Sequence, residues 1–182
     1  MDQHQVGSLL ESLLFVADEP VAVSQLANVL EVEVEFIEEA LERLRAEYSQ
    51  RGLRIQRKGQ RVQMVTAPEA APHVERFLGL RLSGKLSMAA RETLAIIAYL
   101  QPITRAQIES VRGVNCDGVL RTLTRKGLIE EIGRLEQAGR PILYGTTFGF
   151  LQYFGLQDLA ELPPLEDKGD EEDETAKSLS EN

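Results

Sequence analysis

Residues 6–17 place Val6, Leu9, Leu10, Leu13 and Leu14 at helical spacing, and Asp18-Glu19-Pro20 then stops the helix. Ser24 reads as the cap of a short second helix running to Val29. A third, over residues 34–48, repeats Ile37, Leu41 and Leu44 on one face with Glu38, Glu39 and Glu42 elsewhere, and Arg51-Gly52 closes it. The period then changes. Leu53, Ile55 and Val62, Met64 alternate with polar residues on either side of Lys58-Gly59-Gln60, the pattern of a two-stranded hairpin. Three helices followed by a β-hairpin describe a winged helix, a relative of the helix-turn-helix.

The pattern then returns, displaced by 82 positions: Val21/Ile103, Leu26/Ile108, Val29/Val111, Ile37/Val119 and Leu41/Leu123, with Pro20 matched by Pro102. Carried backwards, the offset pairs Leu14 with Ile96 and Phe15 with Ile97. In the second copy, residues 87–100 form the first helix and Gln101-Pro102 ends it. Thr104 with Gln107 makes a capping box for the second, and residues 115–126 form the third, stopped by Gly127. Residues 128–132 and 141–147 are the hairpin strands, with a longer wing tip between them. The fold class expected is mainly α with small β-hairpins, an α+β arrangement of two tandem winged-helix domains. The first spans residues 1–82 and the second 83–165, with a helix after Pro72 and a linker at residues 80–84. Leu162-Pro163-Pro164-Leu165 closes the second domain.

Charge changes this picture in one place. The formal charge of −9 is concentrated in residues 166–182, where eight acidic side chains face two basic ones, so the tail is expected to be disordered. Residues 1–82 hold thirteen acids and nine bases, and residues 83–165 eight and nine; neither half is polybasic. Cys116 is the single cysteine, which excludes an intrachain disulfide and favours a reducing cytosol. The first basic residue is Arg43, so no targeting leader is expected. The longest apolar run, residues 94–100, is far shorter than the roughly 20 residues that span a bilayer.

Candidate chemistry is sparse. His4 and His73 stand alone, and no Cys or His spacing suits a metal. Residues 113–118 begin like a phosphate loop but continue Val119-Leu120 where Lys-Ser/Thr is required, so they read as a turn and helix start. Asp117 and Glu109 are a conceivable carboxylate pair without a pocket signal. Cys116 at a helix start invites a lowered thiol pKa, though no basic neighbour supports a reactive role. No enzyme, cofactor or metal is expected. The third helix of the first unit is surrounded by Glu31, Glu33, Glu35, Glu38, Glu39 and Glu42, which phosphates would repel. The second unit offers Arg121, Arg125 and Lys126 with Arg112 and Arg134 nearby, enough for weak, salt-sensitive DNA contact. Its ending, Phe148, Leu151, Tyr153, Phe154 and Leu156, is the densest aromatic stretch of the chain and fits either a docking surface or a fourth helix over the core.

ETLAIIAYLQPITRAQIESVRGVNCDGVLRTLTRKGLIEEIGR, followed by GRPILYGTT and LQYFGL, resembles the segregation and condensation protein B family over residues 86–165. The first unit resembles that family in length and pattern. The resemblance implies a non-enzymatic, cytoplasmic and nucleoid-associated homodimer supporting chromosome condensation and segregation. Its partner would be the kleisin ScpA and, through it, the SMC ATPase. On this chain it points to Pro141, Ile142, Leu143, Tyr144, Phe148, Leu151, Phe154 and Leu156 as the kleisin-facing set. Leu9, Leu13, Val16, Val74, Phe77 and Leu78 are the apolar residues expected at the dimer contact. The alternative is a tandem winged-helix transcription regulator that reads DNA.

Overall fold

The computed structural model describes residues 2–79 and 85–165. The expected boundary at residue 83, the linker at 80–84 and the acidic tail at 166–182 lie outside the described residues. Two units repeat one topology. The first runs α1 (Gln3–Val16), β1 (Val21–Ala22), α2 (Val23–Leu30), α3 (Val34–Tyr48), β2 (Leu53–Lys58) and β3 (Arg61–Thr66), then α4 (Ala71–Leu78) after a short 3-10 turn. The second runs α5 (Met88–Leu100), β4 (Ile103–Thr104), α6 (Arg105–Arg112), α7 (Asp117–Arg125), β5 (Ile129–Arg134), β6 (Ile142–Thr146) and α8 (Phe148–Phe154). Each hairpin gains a third, two-residue strand, giving sheets ordered β1-β3-β2 and β4-β6-β5. These are winged helices. Each unit buries its own cluster, built around Leu10, Ile37 and Leu41 in the first and Leu94, Ile97 and Leu123 in the second.

The 82-residue offset holds for β1 with β4 and α2 with α6. It fails on both sides. The first helices end 84 positions apart, at Val16 and Leu100, because Asp18 and Glu19 are extra in the first copy. Val6, Leu10 and Leu14 therefore correspond to Ala90, Leu94 and Ala98, all buried, and the expected pairing of Phe15 with Ile97 is wrong. Ile97 is fully buried, whereas Phe15 is 79% exposed. The matched pair Val29/Val111 lies outside both cores, each residue being exposed. After the third helix the offset falls to 76, between Leu53 and Ile129, since α7 is six residues shorter than α3.

Caps follow the sequence where they are local. Thr104 and Gln107 form the reciprocal box, Asp2 and Gln5 form another, and Ser87 caps α5. Ser24 does not cap: the α2 cap is Ala22, and the Val23 N–H donates to the Gln60 carbonyl of the hairpin turn at 2.9 Å. Pairing of Val21 with Val62 brings that carbonyl to the helix start, so a tertiary acceptor replaces the side chain.

The units meet along the free edge of β2. The Arg57 N–H donates to the Gln157 carbonyl (2.8 Å), the Gln56 side chain donates to the Leu156 carbonyl (2.6 Å), and Lys58 pairs with Glu130 (2.6 Å). Gln56 is buried and also accepts from Gln63 at 3.0 Å, so both ends of its amide are engaged. Truncating it to Ala removes both hydrogen bonds, at about 0.5–1.5 kcal/mol each. The expected result of Gln56→Ala is faster amide exchange at Arg57 with α3 protection unchanged; unaltered Arg57 exchange would refute the role of this contact.

Candidate functional site

Two of the exposed apolar regions among the described residues hold the expected site residues. In the second unit, Tyr144 on β6 lies opposite Ile103 of β4 and Glu131 of β5. Its half-buried ring packs on the core; burial pushes the phenol pKa up, and the Glu131 charge adds to the shift. Pro141, Ile142 and Tyr144 line a cavity of about 310 Å³ with Arg105, Ala106, Arg134, Gly139 and Arg140. Leu143, also half-buried, is not among them, because successive strand residues point to opposite faces. The wing strand therefore contributes alternate residues to one surface.

The aromatic stretch folds back as α8. Thr147 caps it, accepting from the Phe150 N–H (3.1 Å) and donating its hydroxyl to the Gly127 carbonyl. Leu151 is fully buried in the unit's own core, so its expected place on the docking face is corrected. Phe148 and Leu156 are half-buried against the same core. Phe154 is 49% exposed, and its ring sits 4.9 Å from Phe150 and 5.1 Å from Tyr153. Tyr153 is as exposed as Phe154 and belongs with it, though it was not in the expected set. The two aromatic faces of a seven-residue helix could be told apart only once the buried one had a partner.

In the first unit, the α1 stripe Val6, Leu10, Leu14 is buried, and Leu9 and Val16 lie outside it on the surface with Phe15. Leu13 is half-buried, packed against the core at the edge of that stripe. On α4, Phe77 is 88% exposed and Leu78 is exposed beside it. Val74 instead lines a cavity of about 350 Å³ at the junction of the units, with Gln152, Gly155, Leu156 and Gln157 opposite. Phe15 is the residue that sequence reasoning missed, because a helical apolar position reads as core until the register of the packed stripe is known.

Other titratable side chains form ion pairs and hydrogen bonds within each unit. Cys116 is buried at the start of α7, and its thiol pKa is raised by burial and by Glu109, opposite to the direction a helix N-terminus alone would impose. Glu109 accepts from the Cys116 N–H (3.1 Å), while Arg105 joins Glu109 (3.6 Å) to Asp117 (3.3 Å), so the two acids belong to an ion network. Asp117 also holds Arg121 at 2.8 Å, and Arg112 reaches Glu92 at 3.2 Å. On α3, Arg57 grips Glu38 through both guanidinium nitrogens and holds its carboxyl below the usual carboxylate range. Among the described residues no group of three His, Cys, Asp or Glu side chains could hold a metal ion, and no helix is long and apolar enough to cross a membrane.

Comparison with known proteins matches residues 8–165 to the family described as segregation and condensation complex subunit ScpB. The chain is 52% identical over 166 residues to a protein of Desulforamulus reducens named segregation and condensation protein B, covering 90% of this chain and 91% of that one. A protein of the same name from Moorella thermoacetica is 53% identical over 160 residues, covering 87% and 82%. A crystal structure of ScpB from Mycobacterium tuberculosis is 39% identical, covers 86% of this chain and 98% of that one, and superposes with a TM-score of 0.42.

Proposed function

This chain belongs to the segregation and condensation complex subunit ScpB family, and from that premise we propose that it is a homodimeric docking subunit that captures a kleisin, ScpA, in an SMC complex. Chromosome segregation and condensation are the business of the family; the ATP chemistry would lie with SMC. The observation that carries the reading is the excess of exposed aromatic and aliphatic surface beyond two satisfied cores: Phe15, Val16 and Phe77 on the first unit, Tyr153 and Phe154 on the second. Such groups at the centre of an interface supply most of its binding energy.

In this reading Phe15, Val16, Phe77 and Leu78, with Leu9, form the dimer contact. Tyr144, Pro141 and Ile142 form one kleisin-facing patch and Phe154 with Tyr153 a second. A DNA-reading regulator would need a basic face on both third helices, whereas Glu38, Glu39 and Glu42 occupy that of the first unit. The cytoplasmic, nucleoid-associated placement follows from the same assignment.

The test is co-purification of the full chain with an ScpA kleisin, followed by native mass determination. The expected product contains two copies of this chain. Phe154→Ala, which removes a half-exposed ring, is expected to weaken capture roughly 30-fold, as loss of one anchoring side chain does, with an unchanged circular dichroism spectrum as the fold control. Absence of any complex would overturn the assignment, and a defined DNA footprint in its place would favour the regulator.

A further inference from the structure

We propose that the cavity under the second wing is a docking site for an acidic segment, and that its occupant is the chain's own run Asp170 to Glu174. The cavity presents Arg105, Arg134 and Arg140 around the apolar floor of Ile142 and Tyr144, and no carboxylate lines it. Three arginines lining one cavity beside Ile142 and Tyr144 fit carboxylates presented on an extended peptide, since a guanidinium fork can bind a carboxylate through two parallel hydrogen bonds.

The arginines are available for exchange. Arg105 meets Glu109 and Asp117 at 3.6 and 3.3 Å, and Arg140 meets Glu136 at 3.6 Å, all through side chains with half or more of the guanidinium residue exposed. Pairs of that kind contribute little and are readily replaced. Arg134 donates to the Arg140 carbonyl at 3.1 Å and, among the described residues, pairs with no carboxylate.

Chain geometry brings the occupant within reach. The chain passes Tyr99, whose hydroxyl donates to the Pro163 carbonyl at 2.7 Å, two residues before Leu165. Tyr99 and Arg105 are six residues apart in the sequence, so about 20 Å bounds the distance between their Cα atoms. The run Asp170-Glu171-Glu172-Asp173-Glu174 lies five to nine residues beyond Leu165, a reach of about 17–32 Å. Residues 166–182 carry eight acidic and two basic side chains, and the run itself has five consecutive acids and nothing basic. Attachment to the same chain makes the contact intramolecular, so a weak individual affinity suffices to populate it.

Because Ile142 and Tyr144 also belong to the proposed kleisin-facing patch, the tail would compete for that patch; this consequence rests on the docking-subunit reading, but the tail contact itself does not. Amide and arginine Nε–H NMR spectra of the full chain and of a chain ending at Leu165 test it without any kleisin present, so the two readings succeed or fail separately. Removing the tail is expected to shift the signals of Arg105, Arg134, Arg140, Ile142 and Tyr144. Raising salt from about 0.1 M to about 1 M, which shortens the Debye length from roughly 10 Å to 3 Å, should reproduce those shifts in the full chain. A synthetic peptide of residues 166–182 added to the shortened chain should reverse them saturably, and the same peptide with the five acids replaced by Asn and Gln should not. Shifts confined to the neighbours of Leu165, or centred on Arg125 and the exposed side of α7, would overturn the placement.

Discussion

Replacing Gly149 by alanine is expected to destabilise the second unit by about 2–3 kcal/mol, although Gly149 sits inside a helix where alanine ordinarily gains up to about 1 kcal/mol. A Cβ at this position would lie 2.6 Å from the Gly127 carbonyl oxygen, closer than real Cβ atoms come to any atom. That oxygen has nowhere to retreat. Gly127 is held in the left-handed region (φ 67°), its N–H is bound to the Thr124 carbonyl at 2.9 Å, and its own carbonyl accepts the Thr147 hydroxyl. Relief of the clash must therefore loosen the end of α7 or the cap of α8, and losing a cap costs about 1 kcal/mol by itself. Gly118→Ala is the control: it lies within α7 with nothing inside 4 Å of the added atom and no left-handed backbone, so the same change should stabilise by up to about 1 kcal/mol. Urea unfolding followed by far-ultraviolet circular dichroism reads both. Equal stability of the two variants would show that α8 does not approach Gly127 as described.

The second large effect concerns association. Val16→Glu combined with Phe77→Glu is expected to raise the dissociation constant of the proposed homodimer at least 100-fold while leaving the monomer folded. Both side chains are more than two-thirds exposed, at 71% and 88%, so their replacement removes little from the core and should change stability by no more than about 0.5 kcal/mol. At a dimer contact the same change buries a carboxylate against apolar surface, where an unpaired charge costs far more than a lost methyl group. Sedimentation equilibrium across a concentration series, with thermal unfolding as the fold control, measures it. An unchanged association curve would remove these residues from the contact and leave Leu9, Phe15 and Leu78 to account for it.

Much of the architecture was legible in the chain because its signals are short-ranged. The bounds of α3 coincide with the apolar period over residues 34–48, the Thr104–Gln107 box closes within one helical turn, and the alternation at Leu53, Ile55, Val62 and Met64 marks the hairpin. The candidate surfaces were legible only as regions. Leu151 and Phe154 have the same hydrophobic appeal three residues apart, yet one is enclosed and the other faces outward. The failed pairing of Phe15 with Ile97 has a related origin: the two extra residues Asp18-Glu19 shift the offset between the first helices, so the exposed Phe15 was matched to a residue enclosed in the other core.

Sequence alone thus determined the two helical units, their repeated order, the caps made by side chains a turn away and the concentration of negative charge beyond residue 165, since each depends on residues adjacent in the chain. Tertiary structure alone decided the third strand of each sheet, the cap that Gln60 supplies to α2, the burial of Leu151 and the bond from Gln56 to the Leu156 carbonyl. The reason is physical: a backbone or side-chain group takes the best partner within reach, and for the hydrogen-bonded groups here that partner lies 37 to 100 positions away, where no local pattern records it.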